Sequence, residues 1–219
     1  MSMEYHKINS IFKRDPSGKN ILWDEYAQPE FEYLADNDWV FTEKVDGTNI
    51  RVMWDGEKVT FGGKTDRAQI PANLYSHLGD LFSPADLAAL DAYPICLYGE
   101  GYGAGIQKGG GRYAPSPRFV LFDVRVSADR DWWLKRADVE DIGEKLGLLV
   151  VPVVGHGTLA EMVEKCRSGF LSEWGQFPAE GIVARPAVEL QDRGGRRIIT
   201  KFKLRDFGPA ALAAAEEER

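Results

Sequence analysis

Between Trp39 and Phe61 apolar and polar residues follow a period of two, interrupted at Asp55-Gly56, and this predicts a strand followed by a two-stranded hairpin. The hairpin arms are Ile50–Trp54 and Lys58–Phe61, so Lys44 ends the preceding strand and opens the loop into them. From residue 73 to 91 the period lengthens. Leu74, Leu78, Leu81, Phe82, Leu87 and Leu90 suit two short helices broken at Ser83-Pro84, because proline cannot continue the first. Strands return at 94–99 and 118–126, separated by the glycine-rich run 101–111, read as a flexible loop near the site. Residues 135–147 predict a helix stopped by Gly147, and Thr158-Leu159-Ala160-Glu161 has the spacing of a capping box that opens a helix to about Gly169. Ile182 to Leu190 and Arg196 to Leu204 predict a hairpin around Asp192-Arg193-Gly194-Gly195, and 209–219 a short helix or frayed tail. Strands joined by hairpins, with helices inserted, indicate an α+β fold with mostly antiparallel sheets.

The chain has 219 residues, 44% of them hydrophobic, enough to bury a core in one domain, and a single domain is expected. There is no run of 18 apolar residues and the N-terminus lacks a secretory pattern, so the expectation is a cytoplasmic protein without a membrane span. Cys96 and Cys166 then read as separate buried thiols. A net charge of −7 excludes nucleic-acid binding by bulk charge. Locally the balance reverses: Arg185 to Arg205 holds seven basic and two acidic residues, a net of +5. Taken alone such a run is a solvated hairpin. It also contains Lys201 and Lys203, two residues apart on a strand and therefore on one face.

Candidate chemistry centres on Glu43-Lys44-Val45-Asp46-Gly47-Thr48-Asn49. A neutral lysine can attack a nucleotide α-phosphate, but a free lysine titrates near 10.4, so burial or nearby positive charge must lower it. Lys201 and Lys203 can supply that charge, or can be the polar stripe of a half-exposed strand. Glu180 reads either as a surface acid at a strand start or as a ligand for a divalent metal. Glu100 is a strand-end acid or a ribose acceptor; Phe122 is core or a base-stacking face; Asp123 is structural or an outer-shell group. His6, His77 and His156 have no partners at zinc-ligand spacing, and no Gly-x-Ser-x-Gly is present.

Five elements occur in order: Lys44-Val45-Asp46-Gly47, Tyr98-Gly99-Glu100, Phe119-Val120-Leu121-Phe122-Asp123-Val124, Glu180-Gly181-Ile182-Val183 and Lys201-Phe202-Lys203. Together they resemble the covalent nucleotidyltransferase superfamily of DNA ligases, RNA ligases and mRNA capping enzymes. Glu43 to Asn49 and the later Tyr-Gly-Glu-Gly-Tyr-Gly-Ala-Gly-Ile-Gln-Lys are similar to RNA ligases of the RNA ligase 2 type, over about residues 35–205. The typical DNA ligase pattern has arginine where this chain has Asn49.

The resemblance implies an adenylation domain of ATP-grasp-like architecture spanning 1–219 as one unit, and an ATP-dependent RNA ligase activity. Lys44 would form lysyl-AMP, Glu43 would meet adenine through its backbone, Glu100 would hold the ribose and Phe122 would stack on the base. Glu180 would serve Mg2+ or Mn2+, and Lys201 and Lys203 would grip the α-phosphate. A basic residue of the family, usually arginine, aligns with Lys64, or else with Arg67; lysine there replaces a planar fork by a point charge. RNA ends are the implied partner, a nicked duplex being one geometry. The chain stops shortly after Lys203, without the C-terminal domain or oligonucleotide-binding fold of relatives, so a separate RNA-binding or repair partner is a further expectation. The rival readings are a DNA ligase, a capping guanylyltransferase, and a nucleotide- or RNA-binding module without turnover.

Overall fold

A computed structural model of the protein describes residues 3–127 and 131–208. The terminal helix or tail expected at 209–219 lies outside the described residues. In chain order the strands are β1 (Asn9–Ser10), β2 (Phe12–Arg14), β3 (Ile21–Tyr26), β4 (Trp39–Glu43), β5 (Thr48–Trp54), β6 (Val59–Gly62), β7 (Ile95–Tyr102), β8 (Arg118–Ser127), β9 (Asp131–Trp133), β10 (Leu149–Val150), β11 (Val153–Gly157), β12 (Gly181–Pro186) and β13 (Thr200–Lys203). The helices are α1 (Pro29–Tyr33), α2 (Ala72–Leu81), α3 (Pro84–Ala88), α4 (Arg136–Lys145) and α5 (Leu159–Ser168). The chain divides into two compact units, one formed by Met1–His6 and Asp46–Val151, the other by Lys7–Val45 and Pro152–Arg219.

The first unit is built on a sheet in the order β10-β8-β7-β5-β6, with β9 paired to β8. Only the β10–β8 pair is parallel. On one face Ile50, Val52, Leu97, Phe119 and Leu121 pack against Leu74, Leu78 and Phe82 of the α2 region, Leu87 of α3, and Val139 and Ile142 of α4. The hairpin at Asp55-Gly56, the two helices and the helix stopped before Gly147 all form where the periodicity puts them; Gly147 has φ of 63°, the left-handed conformation glycine tolerates.

Along β8 the core-facing positions are Phe119 and Leu121, then Val124, so the period of two skips once. The register records the same irregularity: Tyr98 faces Asp123, but Gly99 faces Leu121. This bulge puts Phe122 and Asp123 together on the face opposite the helices. On that face lie Tyr98 and the residues paired with it, and residues 3–6 cover part of it: the Tyr98 hydroxyl donates to Met3 O (3.0 Å) and the Tyr5 hydroxyl to Asp123 Oδ2 (2.8 Å).

The second unit carries a sheet in the order β1-β13-β12-β4-β11 and a separate β2–β3 hairpin. All its pairs are antiparallel except β1 with β13. Phe41, Ile182, Ala184 and Phe202 form a core with Leu159, Met162, Val163 and Cys166 of α5. That helix starts with the expected capping box, the Thr158 hydroxyl accepting from Glu161 N–H and Glu161 from Thr158 N–H, and ends before Gly169 at φ of 74°. The predicted hairpin between 182 and 204 is present with shorter strands than its sequence suggests; its outer part is held around the bridge of Gln191 with Arg197 by Asp192 N–H donating to Arg196 O (2.8 Å) and Ile198 N–H to Leu190 O (3.0 Å). Cys96 and Cys166 are free and buried, one in each unit, and burial pushes both thiols up to about 12.

Candidate active site

In the second unit Lys44 extends β4 by one position, its N–H donating to Gly181 O at 2.9 Å. Gly181 is paired in turn with Lys203. The row Lys44, Gly181, Lys203 therefore crosses three strands, with no side chain between the two lysines. A Cβ on Gly181 would lie 2.1 Å from Phe202 O and 2.8 Å from Lys203 Cα, so only glycine fits. The preceding Glu180 bridges the pair: Oε2 accepts from Lys44 Nζ at 2.6 Å and Oε1 from Lys203 Nζ at 2.5 Å. The three side chains are 14–22% exposed, half shielded yet reachable from solvent. Lys201 stands two rows away opposite Val183, partly buried, on the same face as Lys203. One carboxylate among three lysines leaves net positive charge, which suits a phosphate.

Glu43 takes the opposite course. Strand alternation turns it away from Lys44 toward Ile182, and it is 1% exposed. Its carboxylate accepts from Ser172 Oγ at 2.6 Å and from Glu173 N–H at 2.8 Å. Burial raises its pKa above the ordinary value, and these two hydrogen bonds oppose the rise. The Glu43 N–H is committed to Pro152 O at 3.0 Å, so a backbone contact to adenine has only the carbonyl to use.

In the first unit Gly47 packs against β7, where a Cβ would sit 2.2 Å from Gly101 O and 2.8 Å from Glu100 Cγ. This explains the glycine of the Lys-Val-Asp-Gly run. Asp46 N–H donates to the Tyr113 hydroxyl (3.4 Å) and Gln107 Nε2 to Gly47 O (3.0 Å), so the glycine-rich segment is tied to the turn. Glu100 lies within β7, opposite Asn49 and Val120 and partly exposed, rather than at a strand end. Phe122 is partly exposed at the bulge, with the Tyr5 ring edge-on at 5.2 Å; Asp123 is fully buried against Tyr5. Lys64 and Arg67 are both exposed in the segment after β6. That segment is held by Arg51, whose buried guanidinium donates to Gly63 O (2.7 Å) and Asp66 (2.8 Å).

Lys44, Glu180 and Lys203 are thus brought into direct contact, with Lys201 beside them, whereas Glu43 faces the core of its own unit. Glu100, Phe122 and Lys64 belong to the other unit. Sequence reasoning missed Ser172, Tyr5 and Arg51. Arg51 had a signal, a charge inside the apolar run Ile50–Trp54; Ser172 and Tyr5 lie far in sequence from their partners and had none.

A divalent metal has one carboxylate available in this cluster, Glu180, and no group of three or more His, Cys, Asp or Glu side chains able to hold a metal is found among the described residues. That donor set fits an ion such as Mg2+ or Mn2+ that takes its other ligands from water and nucleotide phosphates.

The basic hairpin is less open than its composition suggests. Arg185 and Arg197 share Glu189, Arg196 pairs with Asp192, and Lys203 with Glu180.

A profile of the RNA ligase family matches residues 37–203, most of the chain. The chain belongs to the RNA ligase family. Solved structures of Naegleria gruberi RNA ligase share its fold. A mutant with ATP and Mn is 18% identical, with a TM-score of 0.64 over 80% of this chain and 51% of that one. Another with AMP and Mn is 18% identical, with a TM-score of 0.63 over 87% and 54%. The complex with pyrophosphate is also 18% identical, with a TM-score of 0.64 over 91% and 61%. This chain spans about half to three fifths of the solved chains it matches. No curated protein sequence matches it.

Proposed function

We propose that this member of the RNA ligase family is an ATP-dependent RNA ligase acting through a covalent lysyl-AMP at Lys44. The observation that carries the reading is the Lys44–Glu180–Lys203 cluster: a lysine set against one carboxylate, with further lysines around the place an α-phosphate would occupy. Lys44 Nζ loses a proton and forms a bond to the α-phosphorus as the bond to pyrophosphate breaks. AMP then passes to an RNA 5′-phosphate, and a 3′-hydroxyl displaces it. Lys203 and Lys201 hold the α-phosphate and offset its charge as the N–P bond forms.

Glu180 would hold a divalent ion, which when bound supplies positive charge to the phosphate. The same carboxylate accepts from Lys44 Nζ at 2.6 Å, so Glu180 also positions the nucleophile. Glu100 is proposed as the ribose acceptor, Phe122 as the base-stacking face, Lys64 as the basic contact to phosphate or ribose, and the Glu43 carbonyl as the backbone contact to adenine. Residues 1–219 are proposed to work as one adenylation module, in the cytoplasm; no described helix is long and apolar enough to cross a membrane.

Joining assays test the reading. With ATP and either Mg2+ or Mn2+, the protein should seal a 5′-phosphate RNA to a 3′-hydroxyl, and should seal pre-adenylated RNA without ATP. GTP dependence or sealing of DNA nicks alone would move it to the capping or DNA ligase branch. RNA binding without any adenylate transfer would make it a binding module.

A further inference from the structure

We infer that the segment between Glu100 and Asp123 of the first unit is the surface that takes the RNA backbone, with Lys108 and Arg118 as its phosphate contacts. Three cations, Lys108, Arg112 and Arg118, occur in these 22 residues with no acid among them, in a chain whose net charge is −7. All three are exposed. Among the described residues no ion pair holds Lys108 or Arg118. In the basic hairpin of the second unit, by contrast, four cations are ion-paired and Arg197 is 7% exposed. Charge that is already paired gains less from a phosphate, because its own partner must be given up.

Shape adds to charge. The loop is closed on itself rather than slack: a Cβ on Gly110 would lie 2.0 Å from Gly103 O, and one on Gly103 would lie 2.2 Å from Ser116 O. Ala104 N–H donates to Ala114 O at 2.9 Å, and Gly110, Arg112 and Tyr113 N–H close successive turns. The loop is also fastened to the motif turn by Gln107 on Gly47 and Tyr113 on Asp46, the second and third residues after Lys44. Lys108 follows Gln107 directly, in the part of the loop that Gln107 fastens to Gly47. A preformed cationic loop binds a polyanion without first ordering itself.

This inference rests on the RNA ligase reading, and a binding assay that needs no turnover separates the two. Lys108→Gln with Arg118→Gln, both at exposed positions, is compared with wild type for binding of a fluorescent 5′-phosphate RNA across a salt series, and for self-adenylation with ATP. Each phosphate contact contributes a slope of about 0.7 in log affinity against log salt for single strands, so losing two should weaken binding about 25-fold at 0.1 M salt relative to 1 M. Self-adenylation should keep its KM for ATP and its kcat. Unchanged RNA affinity overturns the inference, as does the same loss produced instead by Arg193→Gln with Arg196→Gln at the hairpin tip. A raised KM for ATP in the loop variant also overturns it, assigning the cations to the nucleotide's phosphates. A wild type that forms no lysyl-AMP but binds RNA through Lys108 and Arg118 would sink the ligase reading and leave this surface standing.

Discussion

Replacing Ser172 with alanine removes one of two donors to the buried Glu43 carboxylate, the residue before the nucleophile. The hydroxyl donates at 2.6 Å to a group that is 1% exposed, so no water replaces it without rearrangement. A hydrogen bond to a buried charge contributes about 1.5–3 kcal/mol, against about 0.5–1.5 kcal/mol to a neutral partner. The cost therefore depends on whether Glu43 is ionised. Its folded-state pKa lies above the ordinary 4.5, so folding favours the protonated form relative to the unfolded chain; the stability this gives is complete below 4.5 and lost as pH rises through the folded value.

Ser172→Ala deletes a bond that lowers that pKa and moves it further up. The destabilisation should then grow from acid to neutral pH and level off above the folded value. For a chain of this size, 1.5–3 kcal/mol corresponds to about 3–12 °C in the unfolding midpoint at neutral pH, with a clearly smaller shift near pH 4. Ser172→Thr should restore most of it. Thermal scans of the three proteins at both pH values measure this directly. An equal loss at both would show that the ionised Glu43 is not what Ser172 serves.

Lys44→Arg should be as inactive in self-adenylation as Lys44→Ala, because arginine keeps the charge but cannot release its proton; labelling of the Arg variant with α-labelled ATP would move the nucleophile elsewhere. Gly47→Ala forces a Cβ to within 2.2 Å of Gly101 O, so it should lower self-adenylation and stability together, measured by labelling and thermal scan; a fully active, stable variant would contradict the packing described for the turn. Phe122→Leu should weaken ATP binding by about 1–3 kcal/mol while sparing most core volume, since Phe122 is only partly buried. Unchanged ATP affinity with a lowered unfolding midpoint would return the residue to the core.

Local signals carried most of the fold. Asp55-Gly56, Ser83-Pro84, Gly147 and the Thr158–Glu161 box each act within a few residues, and each element they mark formed as read. The lysine pair on β13 was legible for the same reason, since strand alternation alone puts Lys201 and Lys203 on one face. Glu43 was harder. Its place in the motif suggests the nucleotide, but the strand period turns its side chain inward, where a serine 129 positions away receives it. The bulge at Phe122 had a faint mark in the skipped period from Leu121 to Val124. The pairing of Arg185 and Arg197 on Glu189 depends on how the hairpin folds back and cannot be read from charge counts.

The central claim is that Lys44 is the group that takes AMP. Peptide mapping by mass spectrometry, after incubation of the wild-type protein with ATP and Mn2+ or Mg2+, locates the adduct without any assumption about RNA. One peptide, containing Lys44, should carry AMP through an acid-labile, base-stable phosphoramidate, and pyrophosphate should remove it. An adduct on another residue, an acid-stable linkage, or no adduct in a folded protein that binds ATP would contradict the account.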